Sequence, residues 1–182
     1  SALVIDAAAR LNKNWDIRTE TLWNDDKASR ERQSLALRYR DEQGLLFNTG
    51  YQYLDRQPTA NVLTPFTGAL TDRTVEQIYA SAVYPLNNQW SLIGHWNHDI
   101  TNSRELETIA GFEYDSCCWS ARLVARHWIV NDNFIDLVDE QEADNGIFLQ
   151  IQLKSLGNFG DSLDSMLSDS ILGYEDRNKA LD

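Results

Sequence analysis

The sequence predicts an all-β chain, in which about nine antiparallel strands form the C-terminal part of a large transmembrane β-barrel and a short C-terminal helix or tail follows. Apolar and polar side chains alternate with period two in runs of roughly ten to thirteen residues. Strands of soluble proteins cluster near about five or six residues, whereas a tilted strand needs roughly 9–11 to cross a bilayer. The apolar faces end in Trp or Tyr and have aliphatic middles, which is typical of a membrane-spanning barrel.

Nine alternating runs follow one another along the chain, from residues 2–11 and 14–24 to the last run, residues 144–154. In chain order, their apolar faces begin with Leu3, Trp15, Leu35, Leu45, Ile78, Trp90, Leu106, Trp119 and Ile147. The links between runs are residues 12–13, 25–29, 41–43, 55–71, 86–88, 100–103, 116–117 and 131–143. Short and longer links alternate, as periplasmic turns and outer loops do in outer-membrane barrels. Because an odd number of strands does not close such a barrel, we expect residues 1–154 to be an incomplete barrel, the end of a longer one.

Two other architectures share this alternation. A porin-like diffusion channel would present the same two faces to lipid and water. A soluble sandwich or lipocalin-like ligand-binding barrel would instead turn its apolar face inward. The aromatic ends and the alternating links favour a barrel in the outer membrane of a Gram-negative cell, with outer-membrane lipids around its apolar faces.

The polar faces of the strands are expected to line a wet lumen. Their lumen-facing side chains include Asn97, Glu105, Glu107, Glu113, Arg122 and Arg126. On the opposite faces, Leu106, Phe112, Leu123 and Leu149 are expected to meet lipid. A register shift of one residue would invert all of these assignments, because side chains alternate between the two faces.

Charge excludes one class of partner and marks the end of the chain. The formal net charge is −12, which argues against nucleic acid, because phosphate binding needs clustered Lys and Arg. Residues 132–182 carry twelve acidic and three basic side chains. One helical stripe there consists of Leu163, Met166, Leu167 and Ile171. We therefore expect residues 155–182 to form an acidic periplasmic tail with a short amphipathic helix, at the barrel rim or inside the lumen.

No arrangement of residues predicts catalysis, a metal or a cofactor. Ser91, His95 and Asp99 share a polar face, but positions i and i+4 of a strand lie about 13 Å apart, too far for a hydrogen-bonded relay. His95 and His98 fall on opposite faces of one strand. The chain also lacks a glycine-rich phosphate loop. Lumen-lining polar residues explain these side chains better than an active site does.

Cys117 and Cys118 are the two cysteines of the chain, and they are adjacent. Neighbouring residues at a strand edge point to opposite faces, which makes a disulfide between them difficult. Exposed thiols rarely stay free in an oxidising periplasm. Each cysteine is therefore expected to bond to a cysteine outside this chain, and two free thiols are the alternative.

The stretch Tyr114-Asp115-Ser116-Cys117-Cys118-Trp119 and the following Ala121-Arg122-Leu123 resemble a known family. The terminal strand adds Gly146-Ile147-Phe148-Leu149-Gln150-Ile151-Gln152-Leu153-Lys154 with Leu156-Gly157. Together these segments are similar to the C-terminal end of the LptD family, the lipopolysaccharide-assembly proteins of the outer membrane. The resemblance implies a very large barrel preceded by a periplasmic domain, of which this chain would hold the last nine strands.

The resemblance also implies partners and roles. Cys117 and Cys118 would form disulfides with N-terminal cysteines that this chain does not contain. The LptE lipoprotein would plug the barrel, and lipopolysaccharide would arrive over the LptA bridge through the N-terminal domain. Lipopolysaccharide would then leave sideways beside the last strand. That lateral-gate strand consists of Asn145, Gly146, Ile147, Phe148, Leu149, Gln150, Ile151, Gln152 and Leu153.

Overall fold

The computed structural model of the chain describes residues 2–24, 29–56, 73–129, 143–154 and 161–181. Its strands are β1 (Ala2–Arg10), β2 (Trp15–Asn24), β3 (Ser29–Arg40), β4 (Leu46–Arg56), β5 (Arg73–Pro85), β6 (Trp90–Asp99), β7 (Arg104–Asp115), β8 (Trp119–Ile129) and β9 (Ala143–Leu153). Two helices follow, α1 (Asp161–Ser170) and α2 (Tyr174–Leu181). Within the described ranges, no helix is long and apolar enough to cross a bilayer.

The nine strands form one sheet in chain order, and each pairs antiparallel with its sequence neighbours. This order follows from the short links, because consecutive strands joined by tight turns pair as hairpins. The turns after β1, β3, β5 and β7 therefore lie at the same end of the strands, which we call the short-turn end. The all-β prediction is confirmed, and the strand bounds agree with the alternating runs to within two residues at nearly every end. Most of each of the links predicted at 25–29, 55–71 and 131–143 lies outside the described residues.

The two helices pack on one face of the sheet, here called the inner face. A row of inner-face side chains crosses five adjacent strands in register, with Leu46 opposite Val83, Val83 opposite Ile93, and Gly111 between Ile93 and Val124. The buried apolar cluster combines this sheet surface with the helices, and it contains Leu46, Val83, Ile93, Ile109, Val124, Leu163, Leu167, Ile171 and Tyr174. The amphipathic stripe predicted for the tail therefore packs on the inner face of the sheet and not at its rim.

The C-terminal segment contains more helix than the sequence predicted. Helix α1 corresponds to the predicted amphipathic helix, and Gly173 follows it with φ = +86°, a conformation that favours glycine at a helix C-terminus. Helix α2 was not predicted, because Tyr174–Leu181 contains no apolar stripe. It is nevertheless held at the sheet by buried Tyr174 and buried Arg177.

The face of the sheet opposite the helices, here called the outer face, is apolar and exposed. Phe112, Leu123 and Leu149 occupy one cross-strand row of β7, β8 and β9, and all three are exposed. The row continues the alternation predicted from the sequence. A sheet with helices on one face and bare aliphatic side chains on the other needs a second apolar environment on its outer side.

Candidate functional site

A polar row crosses the inner face next to the apolar cluster. Ser91 on β6 lies opposite Glu113 on β7, Glu113 opposite Arg122 on β8, and Arg122 opposite Gln150 on β9. Arg122 Nε donates to Glu113 Oε2 at 2.8 Å, and Arg122 Nη1 donates to Gln150 Oε1 at 3.1 Å. All four side chains are buried. Cross-strand pairing thus aligns these four polar residues across four strands. Two of them, Glu113 and Arg122, were predicted to face the lumen.

The helices add three polar side chains to this row. Asp164 of α1 pairs with Arg122 and accepts a hydrogen bond from Gln150 Nε2 at 3.0 Å. Tyr174 of α2 donates its hydroxyl to Glu113. Burial raises the pKa of Tyr174 well above its ordinary value, so its hydroxyl stays protonated and donates.

Arg177 of α2 is the most connected of these helix residues. Its Nη1 donates to Glu113 Oε1 at 2.7 Å, and its Nη2 donates to Ser91 Oγ at 2.7 Å. Its Nε donates to the carbonyl of Gly44 at 3.0 Å, in the turn between β3 and β4, where Gly44 has φ = +87°. The guanidinium therefore spans from β7 to a turn at the short-turn end, which fixes where α2 sits.

A second polar cluster lies further from the short-turn end. Glu107 on β7 accepts from Arg126 Nε at 2.5 Å, and its Oε2 lies 3.4 Å from His95 Nε2. The Arg126 guanidinium also stacks over the Trp128 ring at 4.9 Å. Arg126, predicted as lumen-facing, and His95, predicted on a polar face, thus both contact the carboxylate of Glu107.

The remaining two lumen-facing predictions, Asn97 and Glu105, lie at a register shift. Asn97 pairs with Glu107, but the next residue, His98, pairs with Glu105. The extra residue Leu106 makes this a bulge, which interrupts the alternation of faces. Glu105 therefore shares the face of His98 and is exposed, opposite to the face of Glu107. Uninterrupted alternation had placed Glu105 with Glu107, and the bulge corrects that placement.

Strand β9, the predicted gate strand, forms one edge of the sheet and pairs with β8 along its whole length. Of the eleven residues Ala143–Leu153, Gln150 is the one that is buried. At the far end of the strand, His127 Nδ1 and Asn145 Oδ1 lie 2.8 Å apart. At the short-turn end, the Lys154 amide donates to the Cys118 carbonyl at 3.0 Å, and Lys154 Nζ lies 3.0 Å from Asp115 Oδ1.

The two cysteines occupy the turn between β7 and β8, at the short-turn end. Both are exposed, and neither forms a disulfide. Their sulfurs lie 2.9 Å apart, so they do not point to opposite faces. The expectation of opposite faces was wrong because Cys117 and Cys118 lie in the bend before β8 begins at Trp119, where the alternation of a strand does not hold. The hydrogen bond between the Cys118 thiol and the Cys117 sulfur favours the protonated form of Cys118 and raises its pKa.

Aromatic pairs surround this turn. Trp90 and Tyr114 lie with ring centroids 4.9 Å apart, and Tyr114 and Trp119 lie 4.8 Å apart. Trp15 and Tyr39 form a further pair at 4.9 Å, beside the turns at the same end of the sheet. The short-turn end thus carries a belt of aromatic rings next to the aliphatic outer face, as expected where a barrel meets a membrane interface.

The triad considered from the sequence is not assembled. Ser91 is bound by Arg177, and His95 faces Glu107. Asp99 instead holds Asn102 and Arg104, with its Oδ2 accepting at 2.7 Å and 3.2 Å. Each of the three polar residues therefore has a separate structural partner.

Sequence reasoning missed the residues that the tail contributes, namely Asp164, Tyr174 and Arg177. The stripe of α1 predicted that this helix packs against something apolar, but gave no indication of what its polar side chains would meet. The pairing of Glu113 with Arg177 spans 64 positions. The sequence pattern carries no signal for this pairing, because Arg177 is flanked by Glu175, Asp176 and Lys179.

Comparisons with known proteins identify similar sequences. The family model described as LPS transport system D matches residues 1–90. An LPS-assembly protein LptD from Pseudomonas aeruginosa (strain UCBPP-PA14) is 37% identical over 172 residues, covering 92% of this chain and 19% of that protein. The chain belongs to the LptD family.

Further LptD proteins show the same extent of similarity. The LPS-assembly protein LptD of Saccharophagus degradans is 35% identical over 182 residues, covering 98% of this chain and 21% of that protein. That of Nitrosococcus oceani is 34% identical over 174 residues, covering 96% and 20%. The chain thus spans about a fifth of the length of the LptD relatives it matches.

Proposed function

We propose that this chain is the C-terminal barrel segment of an outer-membrane translocon component that assembles lipopolysaccharide into the outer leaflet. The observation that carries the proposal is the exposed Cys117–Cys118 pair at the short-turn end of a sheet with an apolar outer face. The similarity to proteins named for LPS assembly, over most of this chain, supports it. We infer a transport and assembly role and not that of an enzyme, with no cofactor and no nucleic acid as a partner.

The orientation follows from the turns. Short turns are periplasmic and longer links lie outside in outer-membrane barrels, so the short-turn end faces the periplasm. Residues 1–154 are then the membrane-spanning strands of an incomplete barrel. Residues 155–182 are an acidic tail on the periplasmic side, and its helices α1 and α2 lie on the inner face.

The inner face lines the lumen in this proposal. Lipopolysaccharide has an anionic, sugar-rich head and apolar acyl chains, so a barrel that passes it must offer water and hydrogen bonds to the sugars. The inner-face side chains in question are Asn97, Glu107, Glu113, Arg122 and Arg126. Because Glu113 and Arg122 are buried against the helices, Asn97, Glu107 and Arg126 are the ones that offer such bonds. The outer face, with Phe112, Leu123 and Leu149, meets outer-membrane lipid.

Strand β9 is the proposed lateral-gate strand, with Asn145–Leu153 as its gate residues. As an edge strand, it presents a row of unpaired backbone N–H and C=O groups to its open side. A further strand would pair with these groups when the gate is closed and separate from them when it is open. The outer-face residues of β9 are among the most exposed apolar side chains of the sheet, with Ile147 79% and Leu149 67% exposed. Acyl chains leaving beside β9 would therefore meet an apolar surface directly.

The proposed partners are those that the family resemblance implies. Lipopolysaccharide would arrive over a bridge of LptA that docks on an N-terminal periplasmic domain, and the LptE lipoprotein would plug the barrel. Cys117 and Cys118 would each form a disulfide with a cysteine of an N-terminal segment. Such bonds would hold the periplasmic domain over the barrel mouth and align the delivery path with the exit.

The proposal is tested in cells that depend on the full-length parent protein. We expect depletion to stop newly made lipopolysaccharide from reaching the cell surface, as measured by surface labelling. The wild-type gene should restore it, and a Cys117→Ser, Cys118→Ser double variant should not. Depletion that left surface lipopolysaccharide intact and only lowered the uptake of small sugars would instead favour a porin-like channel. A parent protein that fractionates without membranes would favour the soluble barrel.

A further inference from the structure

The edge strand β9 has an asymmetric set of contacts. Of its residues Ala143–Leu153, all except Gln150 are at least partly exposed. An edge strand with exposed side chains is bound mainly by its backbone ladder to one neighbour. Side-chain contacts at a single buried position therefore have an unusually large effect on where such a strand stays paired.

Gln150 is held from two sides. Its Oε1 accepts from Arg122 Nη1 at 3.1 Å, and its Nε2 donates to Asp164 Oδ2 at 3.0 Å. Arg122 and Asp164 are themselves an ion pair. The carboxamide is thus closed into a ring of three side chains from β9, β8 and α1, in which both hydrogen bonds involve a charged group and are correspondingly strong.

The support for Asp164 comes from the rest of the tail. Helix α1 is fixed on the inner face by Leu163 and Leu167, which are buried in the apolar cluster. Asp164 lies between Leu163 and Leu167 in the sequence of this helix. The packing of these two leucines in the apolar cluster therefore holds the Asp164 carboxylate within hydrogen-bond distance of Gln150 on β9.

We propose that the docked C-terminal helices anchor the last strand at Gln150, with Asp164 as the positioning residue. The clamp holds the short-turn half of β9, from Gln150 to Leu153, against β8. The half from Ala143 to Leu149 lacks this clamp and has the exposed contact of His127 with Asn145 instead, so β9 is less restrained at the end furthest from the cysteine turn. This rests on the proposed function in so far as β9 is the gate.

Two matched variants of the full-length protein in lipid nanodiscs test the anchor. Asp164→Ala removes the carboxylate that Gln150 binds. Asp169→Ala removes an exposed carboxylate from the same helix and is the control, since both changes raise helix propensity equally. Hydrogen exchange of the β9 amides, resolved into residues 143–149 and 150–154, is measured for both.

We expect Asp164→Ala to accelerate exchange of residues 150–154 tenfold or more and that of residues 143–149 less than twofold. Asp169→Ala should change neither. Equal acceleration in the two halves, or no difference between the two variants, would overturn the anchor. If the variant leaves α1 itself undocked, its own amides will exchange faster, so Gln150→Leu, which keeps Asp164, provides a second test with the same expected pattern in β9.

The functional arm separates this inference from the one on which it rests. If Asp164→Ala loosens residues 150–154 and surface lipopolysaccharide changes, both the anchor and the gate are supported. If the strand loosens as expected while surface lipopolysaccharide is unchanged, the anchor is supported and the gate role of β9 is contradicted. If transport changes without local loosening, the anchor is wrong.

Discussion

Arg177 on the last helix donates to Glu113 in the middle of the sheet, with 2.7 Å between Nη1 and Oε1, and both side chains are about 4% exposed. Glu113 also binds Arg122 and Tyr174. Two guanidinium groups and a hydroxyl therefore compensate one buried carboxylate. The tail is thus attached to the barrel strands by charge as well as by apolar packing, and its docking depends on both.

Replacing Arg177 with Met should undock α2. Breaking a buried pair from one side costs about 3–5 kcal/mol, because the partner charge stays buried. The local opening free energy of α2, from hydrogen exchange of its amides, should fall by about that amount. Arg10→Met is the control, since Arg10 and Asp16 form an exposed pair in which Arg10 is 73% exposed. That change should leave the opening free energy of α2 unaltered, because an exposed ion pair contributes little, and equal effects of the two variants would contradict the role of the buried pair.

Leu167→Ala should loosen α1. Leu167 is fully buried in the apolar cluster, and deletion of a buried leucine side chain costs about 2–5 kcal/mol. Proteolysis of the tail, which follows the population of the opened form, should accelerate by about 30-fold or more. Leu172→Ala changes a leucine that is 55% exposed and should leave the cleavage rate within a factor of about two.

Leu123→Arg tests which face meets lipid. A charged side chain on the lipid face near the bilayer midplane costs about 2–4 kcal/mol. The free energy of unfolding from lipid vesicles in urea should fall by that amount. Leu86→Arg, in the turn between β5 and β6, should cost about 0–1 kcal/mol, because that turn lies at the membrane interface. A loss for Leu123→Arg that is no larger than that for Leu86→Arg would contradict the placement of Leu123 on the lipid face.

The thiol of Cys118 should respond to loss of its neighbour. The hydrogen bond of the Cys118 thiol with the Cys117 sulfur raises the pKa of Cys118, which lowers its thiolate fraction at neutral pH. Cys117→Ala removes that bond, so the pKa falls and the reduced thiol should alkylate faster at any fixed pH below its pKa. The measurement is the rate of iodoacetamide modification of Cys118 from pH 7 to 9. A slower reaction in Cys117→Ala would show that Cys117 does not restrain this thiol.

The sequence predicted the strands because each of them satisfies a local rule, the alternation of faces. It predicted α1 for the same reason, from the stripe of Leu163 and Leu167. Features that depend on several strands at once could not be predicted. The bulge at Leu106, which turns Glu105 to the other face, is visible only once β6 and β7 are paired.

The polar row has the same origin. Ser91, Glu113, Arg122 and Gln150 are aligned by three successive strand registers, and an error of one residue in any of them would disperse the row. The approach of the two sulfurs depends on the conformation of a turn, for which alternation gives no information. Among the described side chains of helix α2, Tyr174 and Arg177 are the buried ones. Two buried residues are too few to produce a periodic pattern in the sequence.

The disulfide state of the full-length parent protein, taken from cells without reduction, tests most directly whether this chain carries the cysteine turn of a lipopolysaccharide-assembly barrel. The measurement is non-reducing electrophoresis with peptide mapping of Cys117 and Cys118. We expect each cysteine to be joined to a cysteine of the N-terminal segment, and closing so long a loop contributes on the order of 4–5 kcal/mol in the chain-entropy model. Each single Ser variant should keep one such bond and support growth, and the double variant should lose the slow-migrating species. A bond between Cys117 and Cys118, or two free thiols in the mature protein, would contradict the assignment.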